Sequence, residues 1–450
     1  MPKRSQRERL LDAMIELSTQ VGYQQVSIAQ VSSRAGVSSA TFYDQFEDKE
    51  DCLVSAYWTA AESIVAPLRV EAPVSWPAGV KQPLGELLGA LRAKPAAGRL
   101  LLVESRAAGP RMRGEHERAL DMFERRVEAA LNRPHSGRQT LDLPAAVLVG
   151  GVRSVAVWRL RGHAEDELPS LADDLLSWIG SYAAPDEKGR WSVGPEAVHL
   201  VDPATLATPA PATPERLPRG RHGLPAGVVT RTQRTRVIYG TAEVMMEKGF
   251  ASATVADIVT AAGVSREVFY EHFTDKLHAF LEAQRYSTQE ALDACAAEYF
   301  SATEWPERVW KALRTLIGLI ISHPSLSYLR VVECYAAGPA ALSRAEDITK
   351  SFTVFLEEGF RYRPEAASLP RICSHAIAGS IFEVVYRHVA RGEVTALAGQ
   401  LPRLAYVALA PFTGPEEAIR LVRELSARDQ GSHRGSGDAA HAGPVRPAQR

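Results

Sequence analysis

Residues 35–46 read AGVSSATFYDQF, and residues 262–273 read AGVSREVFYEHF. Gly36 is matched by Gly263, Phe42 by Phe269, Tyr43 by Tyr270 and Lys49 by Lys276, each 227 positions further on. Both copies set a Gly-Val-Ser turn between two short runs of helical spacing, the layout of a helix-turn-helix. Gly36 can adopt the positive φ that a tight inter-helix turn requires, and Val37 can plug the space between the two helices. Ser38 suits the N-cap of the next helix. Ahead of the turn, Ser27 and Gln30 form a capping-box pattern, and Ile28, Val31 and Ala35 give that helix one buried side. Further upstream, Leu10, Leu11, Met14, Ile15, Leu17 and Val21 recur at helical spacing until Gly22 stops them. Downstream, Phe42 and Phe46 are expected to close a small core, and Asp48-Lys49-Glu50 to open a fourth helix reaching residue 67.

The duplication makes two domains the natural division of 450 residues. A net charge of −1 gives no general attraction for nucleic acid, so any such attraction must come from local charge placement. The basic arm Lys3, Arg4, Arg7 and Arg9 either neutralises phosphates or is simply solvated. Four scattered cysteines without Cys-x-x-Cys or paired histidine spacing predict reduced thiols, and neither a disulfide framework nor a metal site. The N-terminus lacks the apolar core of a signal peptide, and no apolar run is long enough to span a bilayer, so a cytoplasmic protein without a membrane partner is expected. Gly-x-Ser-x-Gly, Gly-x-Gly-x-x-Gly, P-loop and His-Glu-x-x-His patterns are absent, which predicts neither enzyme nor cofactor.

Beyond the first head, helical patterns separated by Gly and Pro continue to about residue 182, with no convincing alternating strand. The repeat persists there: ESRAAGP at 104–110 parallels ECYAAGP at 333–339, and Gly151…Trp158-Arg159 parallels Gly379…Tyr386-Arg387. The expected class is therefore all-α, in two repeated units: a head over 1–50, a helical domain over 51–183, a second head over 231–277 and a second helical domain over 278–427. Residues 184–230, rich in Pro, Ala and Gly, read as a linker, and 428–450 as a disordered tail.

The pattern Gly-Val-Ser-x-x-x-Phe-Tyr-x-x-Phe-x-Asp-Lys ahead of a long helix resembles the DNA-binding head of the TetR/AcrR family of bacterial one-component regulators. Unit 1 carries the small and hydroxyl residues Ala40 and Thr41 at the family's positions, whereas unit 2 has Glu267, Val268 and, at the acidic position after the lysine, Leu277. The resemblance implies a sensor domain below each head, whose last two long helices form a four-helix dimer contact. It also implies phosphate contacts by Tyr43, Lys49, Tyr270 and Lys276; packing of the tyrosines on the head core is the alternative. Ser38, Ser39, Thr41 and Gln45 place short polar groups where base edges or phosphates can be reached, and Ser265, Arg266 and His272 do so in unit 2. Arg266 is the candidate to pair with a guanine, or else a phosphate contact or a solvated charge. Among the sensor aromatics, Trp58, Trp158, Trp310, Tyr335 and Tyr386 are candidates to line a ligand cavity, with ordinary core positions as the alternative.

The function so implied is a transcriptional regulator, a repressor relieved by a small-molecule effector, reading a double-stranded operator. Two assemblies are open: the units pair within one chain and read an imperfect palindrome, or chains form a homodimer with four heads. The rival from another class is a ligand-binding or protein-interaction module in which one or both heads no longer bind DNA, motivated by the neutral net charge and Glu267.

Overall fold

The computed structural model describes residues 4–66, 68, 78–131, 140–141, 144–184, 206, 214–215 and 223–439. Unit 1 begins with α1 (Gln6–Val21), α2 (Ile28–Ala35), α3 (Ser39–Tyr43) and α4 (Lys49–Val65). Its sensor adds α5 (Ala78–Ala93), α6 (Pro95–Arg99), α7 (Ser105–Ala107), α8 (Pro110–Leu131), α9 (Ala145–Arg161) and α10 (Ala172–Gly180). Unit 2 opens with α11 (Ala226–Ser252), α12 (Val255–Ala262), α13 (Arg266–His272) and α14 (Lys276–Phe300). It continues with α15 (Trp305–Ser322), α16 (Pro324–Tyr328), α17 (Pro339–Ser351), α18 (Ile372–Ala390), α19 (Leu401–Thr413) and α20 (Pro415–Ala439). The all-α architecture in two repeated units is as expected. The exception is a two-residue ladder, β1 (Thr140–Leu141) against β2 (Ala183–Ala184), antiparallel.

The heads form for the reasons their sequences gave. Ser27 and Thr254 cap α2 and α12 as full capping boxes, and Gly36 and Gly263 take left-handed φ of 65° and 63° at the turn. Phe42, Phe46, Phe269 and Phe273 are buried core. One hydrogen bond that no sequence pattern announced recurs in both heads: Arg9 Nη1 donates to the Ala35 carbonyl and Arg236 Nε to the Ala262 carbonyl, each at 2.8 Å. Each arginine thus closes the C-terminal end of the helix before the turn, where unsatisfied carbonyls attract a cation. Arg7 donates to Ser55 Oγ and Arg4 pairs with Asp12, so the basic arm is tied down from Arg4 onward, while Lys3 lies outside the described residues.

Two boundaries differ from expectation. Helix α11 starts at Ala226, inside the segment read as linker, most of which lies outside the described residues. Helix α20 runs on to Ala439, through much of the segment read as a disordered tail; residues 440–450 lie outside the described residues. At the start of that segment Asp429 accepts from Trp310 Nε1 at 2.9 Å and pairs with Arg314 at 3.2 Å.

The units pack on one another within the chain. Helix α9 lies along α18, and the crossing is close because glycines sit in it. A Cβ added at Gly379 would fall 2.1 Å from Ser154 Cβ, and one at Gly151 would fall 2.7 Å from Ser380 Oγ and 2.9 Å from the Ala376 carbonyl. Ser380 Oγ donates to the Val147 carbonyl (2.7 Å) and Tyr182 Oη to the Val407 carbonyl (2.8 Å), so α9 and the residues just after α10 in unit 1 meet α18 and α19 of unit 2.

Candidate nucleic-acid interface and sensor cavity

Each recognition helix is short and held by one apolar anchor. Ser38 Oγ accepts the Thr41 N–H at 3.0 Å, and Ser265 Oγ accepts the Val268 N–H at 3.3 Å. With Phe42 and Phe269 turned into the core, the opposite faces stand in solvent: Ser38, Ser39, Tyr43 and Gln45 are exposed in unit 1, and Ser265, Arg266 and Tyr270 in unit 2. Thr41 is half-buried, its hydroxyl 3.0 Å from Ser38 Oγ. Tyr43 and Tyr270 keep 59% and 48% of their surface accessible, which decides against packing on the head core. His272 is half-buried, its Nε2 has no hydrogen-bond partner, and burial lowers its pKa. Glu267 is exposed on the second helix, its carboxyl held below the ordinary range by the Ser265 hydroxyl, so it faces solvent as an anion.

Lys49 and Lys276 are placed differently from the tyrosines. Lys49 Nζ donates to the Val26 carbonyl (2.9 Å) and the Tyr23 carbonyl (3.4 Å) and lies over the Tyr23 ring. Lys276 Nζ donates to the Phe250 and Ala253 carbonyls at 2.6 and 2.8 Å and lies over the Phe250 ring. Burial lowers both pKa values. These ammonium groups clamp the chain leading into the second helix of each head, in unit 2 the short piece of α11 beyond its break at Gly249 (φ 72°). The same stretch is held from below by a glutamate: Glu104 accepts the Tyr23 N–H (3.4 Å) and Glu333 the Phe250 N–H (2.8 Å). Each glutamate closes a wide π-type turn, Leu100–Glu104 and Leu329–Glu333, so head and sensor are joined by the same latch in both units.

Below head 1, helices α4, α5, α8 and α9 surround a cavity of about 840 Å³, lined mainly by apolar side chains such as Leu84, Leu87, Ala119, Phe123 and Val152. In unit 2 the corresponding space is about 90 Å³, filled in part by Phe352, Phe355 and Phe382. Of the five aromatic candidates only Trp58 lines the large cavity, with its Nε1 donating to Glu115 at 3.0 Å. The other four stand elsewhere. Trp310 is core, Trp158 stacks on His375 across the unit boundary at 5.0 Å, and Tyr335 and Tyr386 enclose the Arg106 guanidinium. Their aromatic character marked burial, which spacing alone does not separate from a cavity wall.

Sequence reading missed the buried ionic cluster between the units. Arg106 Nη2 donates to both oxygens of Glu383 (2.9 and 2.8 Å), Arg153 Nη2 to Glu383 Oε2 (2.8 Å) and Arg387 Nε to Glu383 Oε1 (3.3 Å). Burial opposes ionisation of Glu383, but Arg106, Arg153 and Arg387 outweigh it and hold the carboxyl well below the usual range. His116, beside them, is kept neutral by burial and by the Arg106 and Arg153 charges.

Two exposed polar recognition helices, each on a tri-helical head joined to an all-α sensor, define a helix-turn-helix DNA-binding regulator. Comparison with known proteins agrees. The family model described as bacterial regulatory proteins, tetR family, matches residues 10–56 and again 237–283. The HTH-type transcriptional activator FasR of Mycolicibacterium smegmatis is 24% identical over 149 residues, covering 33% of this chain and 68% of the relative. The fatty acid metabolism regulator protein of Bacillus subtilis is 34% identical over 55 residues, 12% of this chain and 28% of the relative. A crystal structure of FadR from Bacillus subtilis in complex with stearoyl-CoA aligns at 15% identity with a TM-score of 0.34, over 38% of this chain and 96% of that one. Both heads are thus TetR-family DNA-binding domains, carried in a tandem of two units.

Proposed function

We propose that the chain is a cytoplasmic repressor that acts as its own dimer: two unlike heads on one polypeptide read an imperfectly palindromic operator, and a small molecule in the sensor releases them. The observation that carries this reading is the α9–α18 packing inside one chain, with both recognition helices left exposed. Two such helices occupy successive major-groove faces only when about 34–36 Å apart, one turn of B-DNA. An effector that prefers a sensor conformation with another head separation weakens binding by its differential affinity for the two states. Helix α4 suits the transmitting role, since Val54, Trp58 and Ala61 on it line the cavity while its first residue, Lys49, clamps the head. The relative from Bacillus subtilis, named a fatty acid metabolism regulator, supports an apolar effector.

The test is selection of bound fragments from genomic DNA followed by footprinting. Two unlike protected half-sites one turn apart are expected. A symmetric palindrome, or a single half-site, contradicts the reading. Glu267 favours a second reading in which head 2 has lost its grip, because an exposed carboxylate on a recognition helix repels phosphates; a lone half-site is its signature. No retained fragment at all favours a module that binds only ligands or proteins.

A further inference from the structure

The two sensors have diverged at one position that decides what each can hold. Arg153 of unit 1 corresponds to Ile381 of unit 2, 228 positions on, in the register that pairs Gly151 with Gly379. Arg153 is 8% exposed and lines the 840 Å³ cavity. Its Nη1 donates to the Leu102 carbonyl (3.1 Å) and its Nη2 to Glu383, but its Nε is buried without a partner. With Arg106 and Arg387 beside it against Glu383 and Glu124, the cluster behind this wall sets three guanidiniums against two carboxylates, an excess of positive charge that favours an anionic occupant. The other ionisable groups facing the space are Arg7, Tyr57, Glu62, Arg126 and the neutral His116, so cations outnumber anions in the wall. Ile381 instead lines the 90 Å³ space of unit 2, where Arg330, the charged residue of that wall, donates to the Ser287 carbonyl at 3.1 Å.

We propose that the chain holds one effector, not two: an elongated apolar molecule bearing a carboxylate, bound in unit 1 with its head group at the Arg153 end of the wall, while unit 2 is a sensor closed to ligand. This rests on the regulatory reading above and specifies its ligand. Because the same guanidinium holds Glu383 of unit 2, the ligand engages a residue shared by both halves, which lets one binding event bear on both heads.

Isothermal titration of the full chain with dodecanoate is the test, with dodecyltrimethylammonium as the same chain carrying a cationic head. One dodecanoate per chain is expected, with the cationic analogue at least ten-fold weaker. Arg153→Lys keeps a charge beside Glu383 but withdraws the guanidinium from the wall, and a ten-fold or greater loss is expected. Ala119→Trp fills the cavity without touching the ionic cluster and is expected to abolish binding, whereas Leu316→Trp in unit 2 leaves it unchanged. Two sites per chain, no binding by the folded chain, or binding indifferent to both Arg153→Lys and Ala119→Trp overturns the proposal. DNA retention, scored separately, keeps this outcome distinct from the regulatory reading: a chain that grips its operator but takes no dodecanoate defeats only the effector assignment.

Discussion

Tyr43 and Tyr270 present their phenols to solvent while Lys49 and Lys276, paired with them in the sequence motif, spend their ammonium groups on carbonyls of their own head. The two residue types therefore separate by experiment. Tyr43→Ala is expected to weaken operator binding with little change in melting temperature, whereas Lys49→Ala lowers the melting temperature as well; equal effects on stability contradict the placement. Glu267→Ala removes an exposed negative charge from the second recognition helix and is expected to tighten binding several-fold at low salt, an advantage that shrinks as salt rises. Fluorescence anisotropy over a salt series measures it, and no change places α13 away from the duplex. Glu383 supplies the pH prediction. Its folded pKa lies well below the ordinary value of about 4.3, so its contribution is complete above that value and is lost as pH falls through the depressed one. Replacement by Gln is expected to cost on the order of 3–5 kcal/mol at neutral pH and to flatten the acid limb of a melting-temperature profile between about pH 4 and the acid limit of folding.

Helices were the most legible elements, because periodicity, N-caps and glycine stops are local. The turn glycines, the capping boxes and the four buried phenylalanines of the heads all follow from neighbours within a few residues. What could not be read is what depends on a partner far away in sequence. Arg153 and Glu383 are separated by 230 positions, and Asp429 gains its role only by meeting Trp310. The same holds for Gly151 and Gly379, which registered as repeat markers but serve as contact points where α9 and α18 touch. Gly379→Ala would set a methyl against Ser154 and is expected to destabilise the pairing by about 1–3 kcal/mol, read from urea unfolding. An unchanged midpoint contradicts so close a crossing.

At the scale of the molecule, duplication followed by divergence has given one chain two similar heads and two dissimilar helical domains below them. The repeated latches, Glu104 on Tyr23 and Glu333 on Phe250, keep each head tied to its sensor, while cavity size and the Arg153-to-Ile381 exchange set the sensors apart. Fusing the halves gives each unit a partner at high effective concentration, so pairing no longer depends on how much protein is present. Under the proposed function it also frees the half-sites from identity, since residues 38–45 and 265–272 differ. The direct measurement is sedimentation of the purified chain alone and on its selected operator. The account predicts a species of one chain, 49.0 kDa, at every protein concentration, and one chain per duplex. A stable dimer of chains in free solution, with two chains needed to occupy one operator, contradicts it.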